Sequence, residues 1–191
     1  MVKNIMIVGV GGQGSLLASK LLGRLLVDEG YDVKVSEVHG MSQRGGSVVT
    51  YVRFDERVYS PIIDKGECDF IVSFERLEAA RYAEYLKTGG RIISNSAELE
   101  PMPVITGAAE YPHTALDELS EKGVDVDLFD ALALALEAGS AKAVNIVLMG
   151  RLSRLLDIPE ERWLSAIRES VKEKFVDLNL KAFALGRGSL T

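Results

Sequence analysis

The segment Gly9-Val10-Gly11-Gly12-Gln13-Gly14 constrains this chain most, because of what lies on either side of it. Asn4–Val8 (N-I-M-I-V) is a continuous apolar run of the kind a buried parallel strand shows. Behind the glycines, Ser15–Glu29 repeats Leu17, Leu21 and Leu25 one helical turn apart, with Leu22 and Leu26 beside them, and Gly30 stops it. That pattern predicts an amphipathic helix. A strand-to-helix turn of this kind needs residues without a Cβ, and it gathers backbone N–H groups at the positive end of the helix dipole. Such a place favours a phosphate. Gly9, Gly11 and Gly14 are therefore the first candidate binding residues.

Read alone, G-x-G-x-x-G also suits a nicotinamide or flavin dinucleotide, which requires an acid at the end of the second strand to hold the ribose. Asp32–Val38 is that strand; Asp32 opens it and Glu37 stands near its end, so Glu37 is the candidate. A second glycine-bearing loop follows, from His39 to Ser47, with Arg44 beside its glycine pair. An arginine beside glycines can hold a phosphate through its planar fork while the backbone stays close. Both loops follow parallel strands and so leave the same edge of the sheet. Together they point to a phosphate-rich ligand, with a plain turn and a solvated Arg44 as the structural alternative.

The remaining order predicts an α/β chain. Val48–Phe54 and Arg57–Ile63 flank Asp55-Glu56 as an antiparallel hairpin, and Phe70–Phe74 is a buried strand feeding a helix through Tyr85. Arg91–Ser94 and Val104–Thr106 read as short strands, and Asp130–Ala138, Ala141–Leu156, Pro159–Lys174 and Leu178–Leu185 as helices. The expected fold is a Rossmann-like three-layer domain with a mainly parallel, partly mixed sheet and a helical C-terminal third. Residues 1–191 are expected to form one domain. Acidic residues outnumber basic ones, 28 to 22, which argues against a nucleic-acid binder. The lone Cys68 excludes an intrachain disulfide, and neither an iron–sulfur cluster nor a thiolate zinc site can rest on one thiol. No targeting segment is read in Met1–Val10 and no apolar run is long enough to span a bilayer, so a cytoplasmic protein without membrane contact is expected.

Three segments in combination carry a resemblance. Gly9–Gly14 (GVGGQG), Ser36–Val49 (SEVHGMSQRGGSVV) and Ala143–Gly150 (AVNIVLMG) are similar to the gamma subunit or domain of the 2-oxoacid:ferredoxin oxidoreductases. The form V-H-G-M-S-Q-R-G-G, with Val58-Tyr59-Ser60-Pro61 behind it and Asn179–Phe183 near the end, looks most like the small subunit of the indolepyruvate-specific branch. The resemblance implies a heteromeric enzyme that oxidatively decarboxylates a 2-oxoacid to an acyl-CoA and reduces ferredoxin. It implies thiamine diphosphate and iron–sulfur clusters on a large partner subunit, with ferredoxin met through the complex. It also implies a share of the coenzyme A site here, with the backbone of Gly11, Gly12, Gln13 and Gly14 facing phosphates and Arg44 pairing with one. Asn145 matches an asparagine at the start of a later helix and is implied to touch the ligand. A homodimer of the isolated chain is left open by the sequence, and the alternatives are a gamma subunit for another 2-oxoacid or a self-sufficient NAD(P)-dependent oxidoreductase.

Asn145 shares a face with Leu148, Met149 and Leu152, and a polar side chain there wants a partner. Ser42, Gln43 and Ser47 read as loop residues bonded to backbone, and His39 as loop packing or an interface residue. His113 reads as a helix-start residue, Glu75 as a helix cap, and Cys68 and Trp163 as core. Glu160/Glu161 suit a helix N-terminus and Glu98/Glu100 an irregular stretch, so neither pair reads as a catalytic dyad. No Tyr-x-x-x-Lys pair accompanies the glycine loop, and no residue of this chain is expected to be catalytic by itself.

Overall fold

The computed structural model describes residues 3–39 and 46–188. In chain order the elements are β1 (Lys3–Val10), α1 (Ser15–Asp28), β2 (Asp32–His39), β3 (Ser47–Asp55), β4 (Cys68–Ser73), α2 (Arg76–Arg81) and β5 (Leu86–Asn95). They continue with α3 (Met102–Ile105), α4 (Ala115–Glu121), β6 (Asp125–Phe129), α5 (Ala131–Ala138), α6 (Val144–Leu152), α7 (Glu160–Ser170) and α8 (Val176–Gly188). Among the described residues the strands form one sheet in the order β2-β3-β1-β4-β5-β6. β1, β4, β5 and β6 pair in parallel, and β3 runs antiparallel to both β1 and β2. β2 therefore runs the same way as β1, so both glycine-bearing loops do leave one edge of the sheet.

Alternation along β1 builds the layers. Ile5 and Ile7 face a core shared with the leucines of α1 and with α5 to α8, while Met6 and Val8 face Ile71, Ala79, Ile92 and Leu116 on the side of α2 and α4. Leu21, Leu22, Leu25 and Leu26 are all fully buried, each stabilising the fold by roughly 1.5–3 kcal/mol. Trp163 stacks on Phe183 at 5.8 Å between centroids, which joins α7 to α8. Cys68 is sealed in the opposite core, and burial pushes its thiol up to about 12. It is the small core residue expected of it.

Two sequence expectations fail. Arg57–Ile63 is not the second arm of a hairpin, since β3 lies between β1 and β2 instead. The carbonyls of Ser60 and Ile62 accept from Arg53 Nη1, at 3.2 and 2.6 Å, and Pro61 between them has no N–H to offer a ladder. Val104–Thr106 is no strand either, because Pro101 and Pro103 start the short helix α3. β6 was not anticipated, and it closes the parallel half of the sheet, while α4 begins two residues after His113, which was expected to start a helix.

Helices α6 and α8 cross backbone to backbone. A Cβ on Gly186 would lie 2.0 Å from the Val147 carbonyl oxygen, and one on Gly150 would lie 2.3 Å from that of Phe183. Neither neighbour is a side chain that could swing away. Gly186→Ala is expected to destabilise the chain by roughly 3 kcal/mol, since overpacking here forces two helices apart. The measurement is the urea midpoint, and a variant with the parental midpoint would contradict the contact.

Candidate functional site

The site lies where the chain leaves β1 for α1, beside the carboxyl end of β4. In an open α/β sheet this is where successive connections diverge to opposite sides and leave a crevice. Gly14 caps α1 in the left-handed region, at φ 92°, and its carbonyl accepts from the N–H groups of Leu17 and Ala18. Ser15 and Leu16, in the first turn, have no carbonyl one turn back, and that turn holds no acidic side chain. The positive end of α1 is therefore left uncompensated by its own first turn.

The loop is held from three sides. Gln13 turns inward: its Oε1 accepts from Val10 N at 2.7 Å, and its Nε2 donates to the Phe74 carbonyl at 3.4 Å. Gly9 makes room for that side chain, since a Cβ there would sit 2.8 Å from Gln13 Oε1. Gly11 N donates to the Gly46 carbonyl at 2.9 Å, which ties the first loop to the end of the second. Asn145, 3% exposed at the start of α6, donates from Nδ2 to the Gly14 carbonyl at 3.4 Å, and its Oδ1 accepts from Ile146 N at 2.9 Å. The partner its apolar face demanded is the glycine loop itself.

Of the predicted residues, the structure brings Gly11, Gly12 and Gly14 to one cavity of about 400 Å³, which they line with Ser15, Leu16, Glu37 and Val48. Gly12, at φ 98°, has nothing within 4 Å of where a Cβ would be, so it is the open floor of the site. Gly9 and the Gln13 side chain lie behind the loop and brace it. Glu37 is on the cavity wall, where Thr50 Oγ1 donates to it at 3.3 Å. Arg44, with Met41, Ser42 and Gln43, lies outside the described residues.

Sequence reasoning missed the polar network behind the loop. Asn95, at the end of β5, donates from Nδ2 to the Phe74 carbonyl at 3.2 Å and accepts from Ala131 N at 3.0 Å. Glu75 caps α2 as expected, but its carboxylate also accepts from Leu99 N at 3.1 Å and from the Tyr111 hydroxyl. Glu78 is buried, accepts from the Ser47 hydroxyl, and lies 3.4 Å from Arg81. The signal for these was positional: Phe74-Glu75 and Ser94-Asn95 both place a polar side chain just where an apolar strand ends.

The open N–H groups suit a phosphate, and Glu37 suits a ribose hydroxyl, so the cavity fits the phosphate-bearing half of a nucleotide coenzyme. It does not fit a cluster: the chain's one thiol is buried in the core and held protonated. Among the described residues no helix is long and apolar enough to cross a membrane.

The family profile described as Pyruvate ferredoxin/flavodoxin oxidoreductase matches residues 4–189. Indolepyruvate oxidoreductase subunit IorB of Thermococcus kodakarensis is 48% identical over 191 aligned residues, covering 96% of this chain and 93% of that one. A keto/oxoacid ferredoxin oxidoreductase gamma subunit from Geobacter sulfurreducens shares the fold, with a TM-score of 0.72, 23% identity, and 97% and 96% of the two chains covered. A 2-oxoglutarate:ferredoxin oxidoreductase from Magnetococcus marinus, solved with 2-oxoglutarate, coenzyme A and succinyl-CoA bound, gives a TM-score of 0.76 at 21% identity. This chain is covered there in full but matches only 32% of that longer one.

Burial pushes the Glu78 carboxyl above its ordinary 4.5, against the opposing Ser47 hydrogen bond and Arg81 charge. The folded chain then holds this proton more tightly than the unfolded one. The associated stability is complete below pH 4.5 and is lost as pH rises through the raised value. Glu78→Gln is expected to flatten that decline in urea midpoints measured upward from pH 4.5. A variant that keeps the parental slope would show that Glu78 is not its source.

Proposed function

This chain belongs to the pyruvate ferredoxin/flavodoxin oxidoreductase family, and on that premise we propose that it is the small subunit of an indolepyruvate:ferredoxin oxidoreductase. The observation that carries the substrate is its 48% identity, along 96% of its length, to an indolepyruvate oxidoreductase subunit. Residues 1–191 are read as one gamma-type domain that works in the cytoplasm, joined to a larger subunit and self-associating when isolated. In the overall reaction the bond between C1 and C2 of the 2-oxoacid breaks to release carbon dioxide. A thioester forms to the sulfur of coenzyme A, the thiol proton is released, and two electrons pass to ferredoxin. Thiamine diphosphate and iron–sulfur clusters, when bound on the larger subunit, supply the carbanion chemistry and the electron path.

The part of this chain is to hold coenzyme A. Ser15 and Leu16 N–H groups and the dipole of α1 bind a phosphate over Gly12, and Arg44 pairs with a second phosphate charge. Glu37 accepts from a ribose hydroxyl at the cavity wall. Gln13 and Asn145 position the loop and need not touch the coenzyme. The coenzyme A bound in the longer 2-oxoglutarate enzyme supports this reading. A gamma subunit common to pyruvate and ketoisovalerate oxidoreductases is 25% identical over 87% of this chain, so a different 2-oxoacid is the second reading.

In the assembled complex, Arg44→Ala is expected to raise the KM for coenzyme A about tenfold, the loss of one charge-assisted pair. Carbon dioxide release from indolepyruvate before acyl transfer should be unchanged. An unaltered KM would remove Arg44 from the site. Failure of this chain to co-purify with a thiamine-dependent iron–sulfur subunit, or calorimetric binding of NAD in preference to coenzyme A, would overturn the assignment itself.

A further inference from the structure

A second cavity, of about 320 Å³, opens on the other side of the α1 start from the glycine loop. Its walls are apolar, formed by Leu17, Ala143, Val171, Phe175 and Leu178. Two cations stand on its lining, Lys142 on the Ala141–Ala143 turn and Lys172 just after α7, and neither has an ion pair among the described residues. A third, Lys174, lies with its ammonium 5.0 Å from the Phe175 ring. This is a conspicuous gathering of unpaired positive charge in a chain of net charge −6. Phe175 is 45% exposed, a large ring that its own fold leaves half uncovered beside those charges.

One polar side chain in the wall sharpens the chemistry. Asn179 is only 9% exposed, and its Nδ2 donates to the Phe175 carbonyl at 2.7 Å. Its Oδ1 makes no hydrogen bond among the described residues and stays open on the cavity lining, an acceptor for a ligand's donor. Apolar walls, cations on the lining and one open acceptor suit a ligand with an apolar body, an anionic end and an N–H or O–H group.

We propose that this cavity is a binding site for an aryl carboxylate carrying a hydrogen-bond donor. The ring packs against Phe175 and Leu178, the carboxylate faces Lys142 and Lys172, and the donor reaches Asn179. The site is distinct from the phosphate cavity, because Asn145 and the first turn of α1 stand between them. The proposal does not rest on the coenzyme reading.

The test is calorimetric titration of the full chain with indole-3-acetate, and with the uncharged indole-3-acetamide as its isostere. Saturable binding of the acid, about tenfold tighter than the amide, is expected from two charge pairs at the surface. The double variant K142Q/K172Q, both exposed and outside the core, should abolish that preference and leave the amide unaffected. The control K65Q/K122Q, which removes as much charge elsewhere, should change nothing. Absence of saturable binding, equal affinity for acid and amide, or an equal effect of the control would overturn the proposal. So would displacement of the probe by coenzyme A, since the cavity would then be part of the coenzyme's own site.

Discussion

Gly14 is held in a left-handed conformation with the Asn145 side chain pressed against the place where a Cβ would stand, and the site depends on that arrangement. An L-residue there would cost roughly 1–2 kcal/mol in backbone strain alone. The conformation turns the chain from β1 into α1 and leaves the first N–H groups of the helix facing outward. Asn145 lies 131 residues further along the chain, so the packing of α6 on α1 and the sheet supports the shape of the loop. Gln13 adds a tie to the carbonyl of Phe74, which also receives Asn95, so the ends of β1, β4 and β5 meet in one hydrogen-bonded set. A phosphate would meet a surface already organised, with little left to order on binding.

What was legible in the sequence was what is local. The glycine run, the leucines of α1 and the apolar runs of β1 and β4 carry their own periodicity, and the four C-terminal helices were placed within a few residues. Partnership was not legible. The alternation of residues 48–54 identifies a strand, but nothing in it says that the strand enters between β1 and β2 rather than folding back on 57–63. β6 was hidden by Asp125 and Asp127, poor strand formers that an edge strand accommodates by pairing them with Arg91 and Arg151. Gln13 and Asn145 were expected to face the ligand and their side chains bond the loop itself, a difference that a spacing argument cannot see. Arg44, on which the sequence reading leaned most, lies outside the described residues.

The same residues bear on the division of labour that the proposed function assigns to the enzyme. A chain whose one thiol is sealed in a hydrophobic core has no means of carrying a cluster, and the buried carboxylates beside the loop, Glu75 and Glu78, are committed to capping α2 and holding Ser47. Among the described residues, the first N–H groups of the helix over Gly12 have no backbone partner. A single small domain is enough to present them, and in the longer 2-oxoglutarate enzyme the matching region is about a third of the chain, at 32%. On the proposed function, the chain holds one coenzyme while chemistry proceeds elsewhere.

Amide hydrogen exchange across Gly11–Leu17, measured in the assembled complex with and without coenzyme A, tests that claim most directly. The account requires that the Ser15 and Leu16 amides, open in the free site, become protected when the coenzyme is added, with the Gly11 amide, already bonded to Gly46, changing little. Unaltered exchange at Ser15 and Leu16 in a complex saturated with coenzyme A would place the phosphates elsewhere and contradict it.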